Sequence, residues 1–98
     1  MQTVRFSATG DNLIHSPIYK QAKRRAAGTE GYSFDYCYEH IAPFYAQQDV
    51  NWINQETLCT DELEPSTYPC FSTPGDCARA LYRAGVRVFS LSNNHTYD

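Results

Sequence analysis

From Thr3 to Thr9 (TVRFSAT) polar and apolar side chains alternate, with β-branched and aromatic types among them. A period of two in such residues predicts a strand with one buried face. Gly10-Asp11-Asn12 ends it. Ser16-Pro17 is a helix start, with Ser as the cap and Pro at the first helical position. That helix is expected to run to about Ala27 and stop at Gly28. A second helix should begin near Ser33 or Asp35 and continue towards Gln47. Phe34, Cys37, Tyr38, Ile41, Phe44 and Tyr45 recur along it at helical spacing. Pro43 lies inside this pattern and should kink or split it.

Val50 to Asn54 (VNWIN) is a short apolar run, expected as a buried strand, and Gln55-Glu56-Thr57 follows it. Residues Leu58 to Ser72 hold Pro65, Pro69 and several acids, and read as a loop. Thr73-Pro74-Gly75-Asp76 repeats the cap-then-proline signal. The helix after it carries Cys77, Ala80, Leu81 and Ala84 as its apolar stripe and stops at Gly85. Val86 to Leu91 (VRVFSL) is the third predicted strand. Strands separated by helical crossovers imply a parallel sheet with right-handed connections. Such sheets are usually covered on both faces. Three helices are too few for both, so one face is expected to await sequence not present in this chain. The whole is an α/β pattern, β-α-α-β-α-β, that stops within a loop, as a fragment would.

The chain has 98 residues, enough for one small domain. Its apolar share of 42% allows an ordinary core, and eight tyrosines with five phenylalanines give that core or a cleft an aromatic character. A net charge of -3 argues against a nucleic-acid partner, which would want clustered Lys and Arg. Lys20, Lys23, Arg24 and Arg25 form the one basic run, spaced for the solvated face of a helix. Met1-Gln-Thr leads directly into strand-like sequence without an apolar signal region. No segment approaches the roughly 20 apolar residues of a bilayer span. The chain as given is therefore expected to be soluble, and a longer parent could still be anchored at a membrane or cell surface. Cys37, Cys59, Cys70 and Cys77 include no CxxC pair, which argues against structural zinc. Free, mostly buried thiols are expected, and a Cys59–Cys70 bridge stays open.

Candidate chemistry gathers after the strands. In open α/β sheets ligands bind beyond the carboxyl ends of the strands. The first strand end offers Asp11, with His15 four residues on. The second offers Asn54 and Glu56, and the third Asn93, Asn94, His95 and Asp98. Parallel strands would bring the three clusters to one edge. Mixed oxygen and nitrogen ligands suit Mg, Mn, Fe or Zn and exclude a soft thiolate site. Each cluster also has an ordinary reading. Gly-Asp is a common turn, and Asn54-Gln55-Glu56 could be a polar strand end. His15 is expected to orient or cap the following helix rather than bind metal. Asn94-His95-Thr96 matches a glycosylation sequon, a pattern common by chance and discounted without a leader. Three such clusters at three successive strand ends are much harder to dismiss.

These residues carry a specific resemblance. Gly10-Asp11-Asn12-Leu13-Ile14-His15, Asn54-Gln55-Glu56-Thr57, Tyr68-Pro69 with Phe71-Ser72-Thr73-Pro74, and Asn93-Asn94-His95 with Asp98 resemble the N-terminal part of the CapA family. That family comprises poly-γ-glutamate capsule synthesis proteins similar to calcineurin-like metallophosphatases. The resemblance spans essentially the whole chain, and Asn-Asn-His followed by Asp is its most diagnostic piece. It implies that residues 1–98 are a truncated part of a four-layer α/β/β/α sandwich, with a two-metal centre between sheet edges. By the same resemblance Asp11 is a metal ligand. Glu56, with Asn54 beside it as a further ligand, stands where the superfamily usually has a bridging Asp. Asn94 would bind the second metal, His95 would act as general acid or charge stabiliser, and Asp98 would orient it.

The implied mechanism uses two divalent cations about 3.5–4 Å apart to activate a bridging water. The hydroxide would attack a phosphate ester or the carbonyl of a γ-linked amide. The superfamily's remaining histidine ligands come from later strands, so the chain alone is expected to be inactive. His40 is expected at the surface and is a poor stand-in. The expected substrate is thus a polymer or phosphoester, within a membrane-associated polymer-synthesis complex. Two other classes compete: a non-catalytic scaffold or export subunit of such an assembly, and an unrelated small α/β binding module using its aromatic surface.

Overall fold

A computed structural model describes residues 2–98. The element order is β1 (Phe6–Asp11), α1 (Ser16–Arg25), α2 (Asp35–Tyr38), α3 (Ala42–Ala46), β2 (Val50–Asn54), α4 (Asp76–Ala84) and β3 (Val88–Ser90). β2 has the predicted bounds. β1 starts and ends later than its pattern suggests, and β3 keeps only the middle of its predicted run. α1 stops at Arg25, with Ala26 as its C-cap; Gly28, at φ 85°, takes the turn beyond it. Pro43 splits the long helical pattern, as its missing amide requires. It stands in the first turn of α3, where that amide has no helical partner to lose.

The sheet is parallel in the order β1-β2-β3. Both crossovers step in the same direction, so right-handed connections put every helix on one face. That face presents Ser7 and Thr9 of β1, Asn51 and Ile53 of β2 and Phe89 of β3. Ile53 joins Tyr45, Leu81 and Val86 in one core cluster, with Phe89 packed against it. A second cluster joins α1 to α4 through Ile14, Ala22, Phe34, Cys77 and Ala80. The opposite sheet face carries Phe6, Ala8, Trp52 and Val88, paired across the strands. Phe6 is 61% exposed and Val88 42% exposed. Among the described residues nothing covers this face, in line with the expectation from helix count.

The covered face is partly polar, and each polar group has a task. Asn51 Nδ2 donates to the carbonyls of Tyr45 and Gly85, both 3.0 Å away, at the ends of α3 and α4. Helix ends leave carbonyls short of intrahelical partners; the buried amide supplies one to Gly85 O and a second to Tyr45 O, which also accepts Gln48 N at 3.1 Å. Asn51 Oδ1 accepts in turn from Ser7 Oγ. Thr9 Oγ1 lies 3.0 Å from Tyr45 Oη and donates to Trp52 O at 2.9 Å. These bonds fix the depth at which α3 sits on the sheet.

The long loop after β2 folds back on itself. Cys59 bridges Thr73, and Ser66 bridges Ser72. The buried Thr73 Oγ1 donates to Thr57 Oγ1 at 2.8 Å. All four cysteines are free, so no Cys59–Cys70 bridge is present. The expectation that the thiols are mostly buried holds only for Cys77 and partly for Cys59. Cys37 and Cys70 are exposed, because each lies on the outer side of a short or irregular segment. Among the described residues no helix is long and apolar enough to cross a membrane.

Candidate functional site

A bulge creates the first part of the site. Thr9 pairs with Ile53, but the next pairing is Asp11 with Asn54, so Gly10 is an extra residue in β1. A bulge of this kind re-aims the following side chain. It brings Asp11 to Asn54, whereas regular alternation would have put Asp11 on the side of Ser7 and Thr9. Asn54 Nδ2 donates to Asp11 Oδ1 and to Glu56 Oε2, both at 2.7 Å. Two carboxylates thus converge on one amide group.

The third strand end joins this pair through Asn93. Its Nδ2 donates to Gln55 O at 3.0 Å and to Asn54 Oδ1 at 3.4 Å. Its Oδ1 accepts from the backbone amide of His95 at 2.8 Å. His95 Nδ1 lies 2.7 Å from Asp98 Oδ2, which also accepts the Phe71 amide at 2.8 Å. The Phe71 amide, and then His95, hold the Asp98 carboxyl below its ordinary range. An ionised carboxylate only accepts, so it selects the proton on Nδ1 and leaves Nε2 as the free nitrogen.

Phe71 is buried between two imidazoles. Its ring centroid lies 4.8 Å from that of His95 and 5.0 Å from that of His15, edge to face with each. His15 occupies the N-cap position of α1, yet its side chain makes no capping bond. It reaches Thr67 Oγ1 at 3.2 Å instead. Of the orienting or capping role expected of it, the side chain makes no cap; its bond ties the long loop to the start of α1. His40 is at the surface, as expected, in the turn between α2 and α3.

Asn12 connects the strand ends from beneath. Its amide donates to Asn54 O at 2.8 Å, and its carbonyl accepts from Glu56 N and Thr57 N. Its side chain donates to Gln55 Oε1 at 2.8 Å and accepts from Tyr38 Oη at 2.7 Å. Beside the site a cavity of about 330 Å³ is lined by Glu56, Leu58, Cys59, Phe89, Asn93 and His95, among others.

Asp11, Asn54, Glu56, His95 and Asp98 thus belong to one hydrogen-bonded constellation with Asn93. Asn94 stands apart: it is exposed, and the bonds of the constellation run through Asn93. Asn93 stood with Asn94 among the strand-end candidates, but a doublet in a turn does not tell which member faces inward. Asn12 and Phe71 entered only as parts of the family motifs. Among the described residues no three His, Cys, Asp or Glu side chains gather around one point. What is present fits a cation in a more limited way. Two carboxylate oxygens meet at one amide, and turning that amide would add its carbonyl oxygen, a donor set suited to a hard divalent ion.

A family model described as bacterial capsule synthesis protein, PGA_cap, matches residues 5–98. The chain belongs to this family. No curated protein and no solved structure matches it. The family match runs from just before β1 to the last residue, so all three strand ends of the constellation lie within the PGA_cap region.

Proposed function

We propose that this capsule synthesis protein carries part of a metal-dependent hydrolase-type site, acting on a phosphoester or on the γ-linked amide of a capsule polymer. The convergence of Asp11 Oδ1 and Glu56 Oε2 on Asn54 carries the reading. Two carboxylates gathered on one amide are eased by a shared proton or by a positive partner, and a divalent cation is the partner a hydrolase-type site would use. Asp11, Glu56 and the Asn54 carbonyl would hold a divalent cation; Asn94, exposed in the turn outside the constellation, is a ligand for a second by the family resemblance alone. When bound, such ions supply Lewis acidity and an activated water.

The remaining residues act on protons and position. Asp98 fixes the His95 ring and its Nδ1 proton, so Nε2 can take or give a proton at the leaving group. Asn93 holds the His95 backbone against the end of β2. The family resemblance supplies the two-metal, four-layer framework of this reading. It also supplies the expectation that the 98 residues alone do not turn over substrate.

Calorimetric titration of the chain with manganese chloride tests the proposal. Binding is expected, with at least the roughly tenfold loss of affinity in Asp11→Ala and in Glu56→Ala that even a partner hydrogen-bonded to a ligand typically costs. Unchanged affinity in both variants would refute the ligand assignment. An absence of binding by the unsubstituted chain would refute the reading that Asp11, Glu56 and Asn54 hold a cation by themselves.

A further inference from the structure

Among the described residues the His95 ring is hydrogen-bonded at one point. Its Nδ1 lies 2.7 Å from Asp98 Oδ2, and the two side chains are only 16% and 13% exposed. A single bond at Nδ1 fixes that nitrogen but not the plane of the ring. The outer torsion of a histidine is broad and roughly two-fold, so the ring can rock about its anchored atom. Nε2, across the ring from the anchor, then swings the most.

Phe71 restrains both members of the pair. Its ring meets the His95 ring edge to face, with centroids 4.8 Å apart and planes at 85°. Such a pair has a preferred geometry, and rocking either ring loses it. The main chain of the same residue acts on the partner: the Phe71 amide donates at 2.8 Å to Asp98 Oδ2, the oxygen that faces His95 Nδ1. One residue thus holds the carboxylate by its backbone and the imidazole by its side chain.

Phe71 is itself well fixed, with 2% exposure. The flanking Ser66 and Ser72 exchange both backbone bonds, at 2.9 and 3.1 Å, and the Thr73 amide donates to Leu58 O at 2.7 Å. Its second aromatic contact is His15, with centroids 5.0 Å apart and planes at 79°. His15 Nδ1 is in turn 3.2 Å from Thr67 Oγ1 of the same loop. We propose that Phe71, braced by His15, is the positioning residue for His95, setting the plane of the imidazole and with it the direction of Nε2. The proposal rests on the reading of His95 as the group that handles the proton at the leaving group. It gives the long loop between β2 and α4 a task at the site, and it links the first strand end, through His15, to the third. Reacting groups keep their geometry to within about half an ångström only when packing locks the side chains that support them.

Proton and nitrogen-15 spectra of the labelled chain test this without metal or substrate, so the result stands apart from that of the manganese titration. The readout is the Nδ1 proton of His95, identified by its loss in His95→Gln. A proton shared by a sheltered imidazole and a carboxylate is strongly bonded, and it should resonate downfield of the backbone amides. In Phe71→Leu, which keeps the amide and most of the apolar bulk, the resonance is expected to be lost to exchange with water while the α4 amides keep their native shifts. In His15→Ala it should broaden. In His15→Phe, which keeps a ring against Phe71, it should stay as sharp as in the unsubstituted chain. His15 is exposed, so its replacements decide the matter even where Phe71→Leu does not fold. A resonance unchanged in a folded Phe71→Leu or in His15→Ala would overturn the proposal. So would equal broadening in His15→Ala and His15→Phe, or the absence of the resonance from the unsubstituted chain.

Discussion

At the scale of single residues, Asp98 has the most specific position, accepting from the Phe71 amide and facing His95 Nδ1. Replacing it with Asn is expected to disturb the His95 tautomer, since the amide presents a donor as well as an acceptor. Nitrogen-15 shifts of the ring should move away from the Nδ1-protonated pattern; an unchanged pattern would show that Asp98 does not select the tautomer. The acid behaviour has a definite sign. The Phe71 amide lowers the Asp98 carboxyl; at Asp76 burial works upward, but hydrogen bonds from Arg79 and the Tyr32 amide outweigh it. Folded-state values below the unfolded ones mean that the stabilisation is complete above the usual carboxylate range. It disappears as pH falls through the depressed values. Acid titration of the Phe71 and Tyr32 amide resonances should therefore show their transitions below those of exposed carboxylates. The residues that carry charge or a ring nitrogen were legible in the sequence, because each follows a strand end. Asn93 was legible as a strand-end candidate but not in its linking role, and Asn12 only as part of a motif. Their importance lies in which neighbour an uncharged amide reaches, and that depends on the Gly10 bulge and on a loop with no period to read.

At the scale of elements, α4 is the one the rest depends on. Leu81, fully buried, packs with Tyr45, Ile53 and Val86 in the core between the helices and the sheet. Leu81→Ala is expected to cost about 2–5 kcal/mol in denaturant unfolding, the range for a buried leucine that leaves a cavity. Gly85 ends the helix at φ 127°, and an added Cβ there would stand 3.0 Å from the Cβ of Tyr45. Gly85→Ala should therefore lose on the order of 1–3 kcal/mol through backbone strain alone. A cost below a few tenths would mean that the turn adapts. Both the apolar stripe of α4 and its glycine stop were visible in sequence, because period and punctuation agree there. The α2–α3 stretch was legible as apolar but not as two short helices. β3 shortened because Val86 turns into the core before pairing begins, which alternation alone does not reveal.

At the scale of the molecule, the uneven layering governs behaviour in solution. Phe6, Trp52 and Val88 share the sheet face away from the helices, and apolar surface left open in this way attracts hydrophobic dyes. The chain is expected to enhance the fluorescence of anilinonaphthalene sulfonate while fully folded. Phe6→Lys should reduce that signal with little change in the unfolding midpoint; an unaltered signal would locate the dye elsewhere. The strand order has a further consequence, for the time course of folding. Phe6 finds its partner only at Val50, and Trp52 finds Val88 only after another helix has passed. No strand can pair with a near neighbour in the chain, so the entropy of closing long loops precedes any ladder bond. During synthesis β1 must leave the ribosome and wait unpaired until β2 follows, and β2 must wait again for β3. Such a chain gains its sheet late, and its helices, which close locally, are expected to form first.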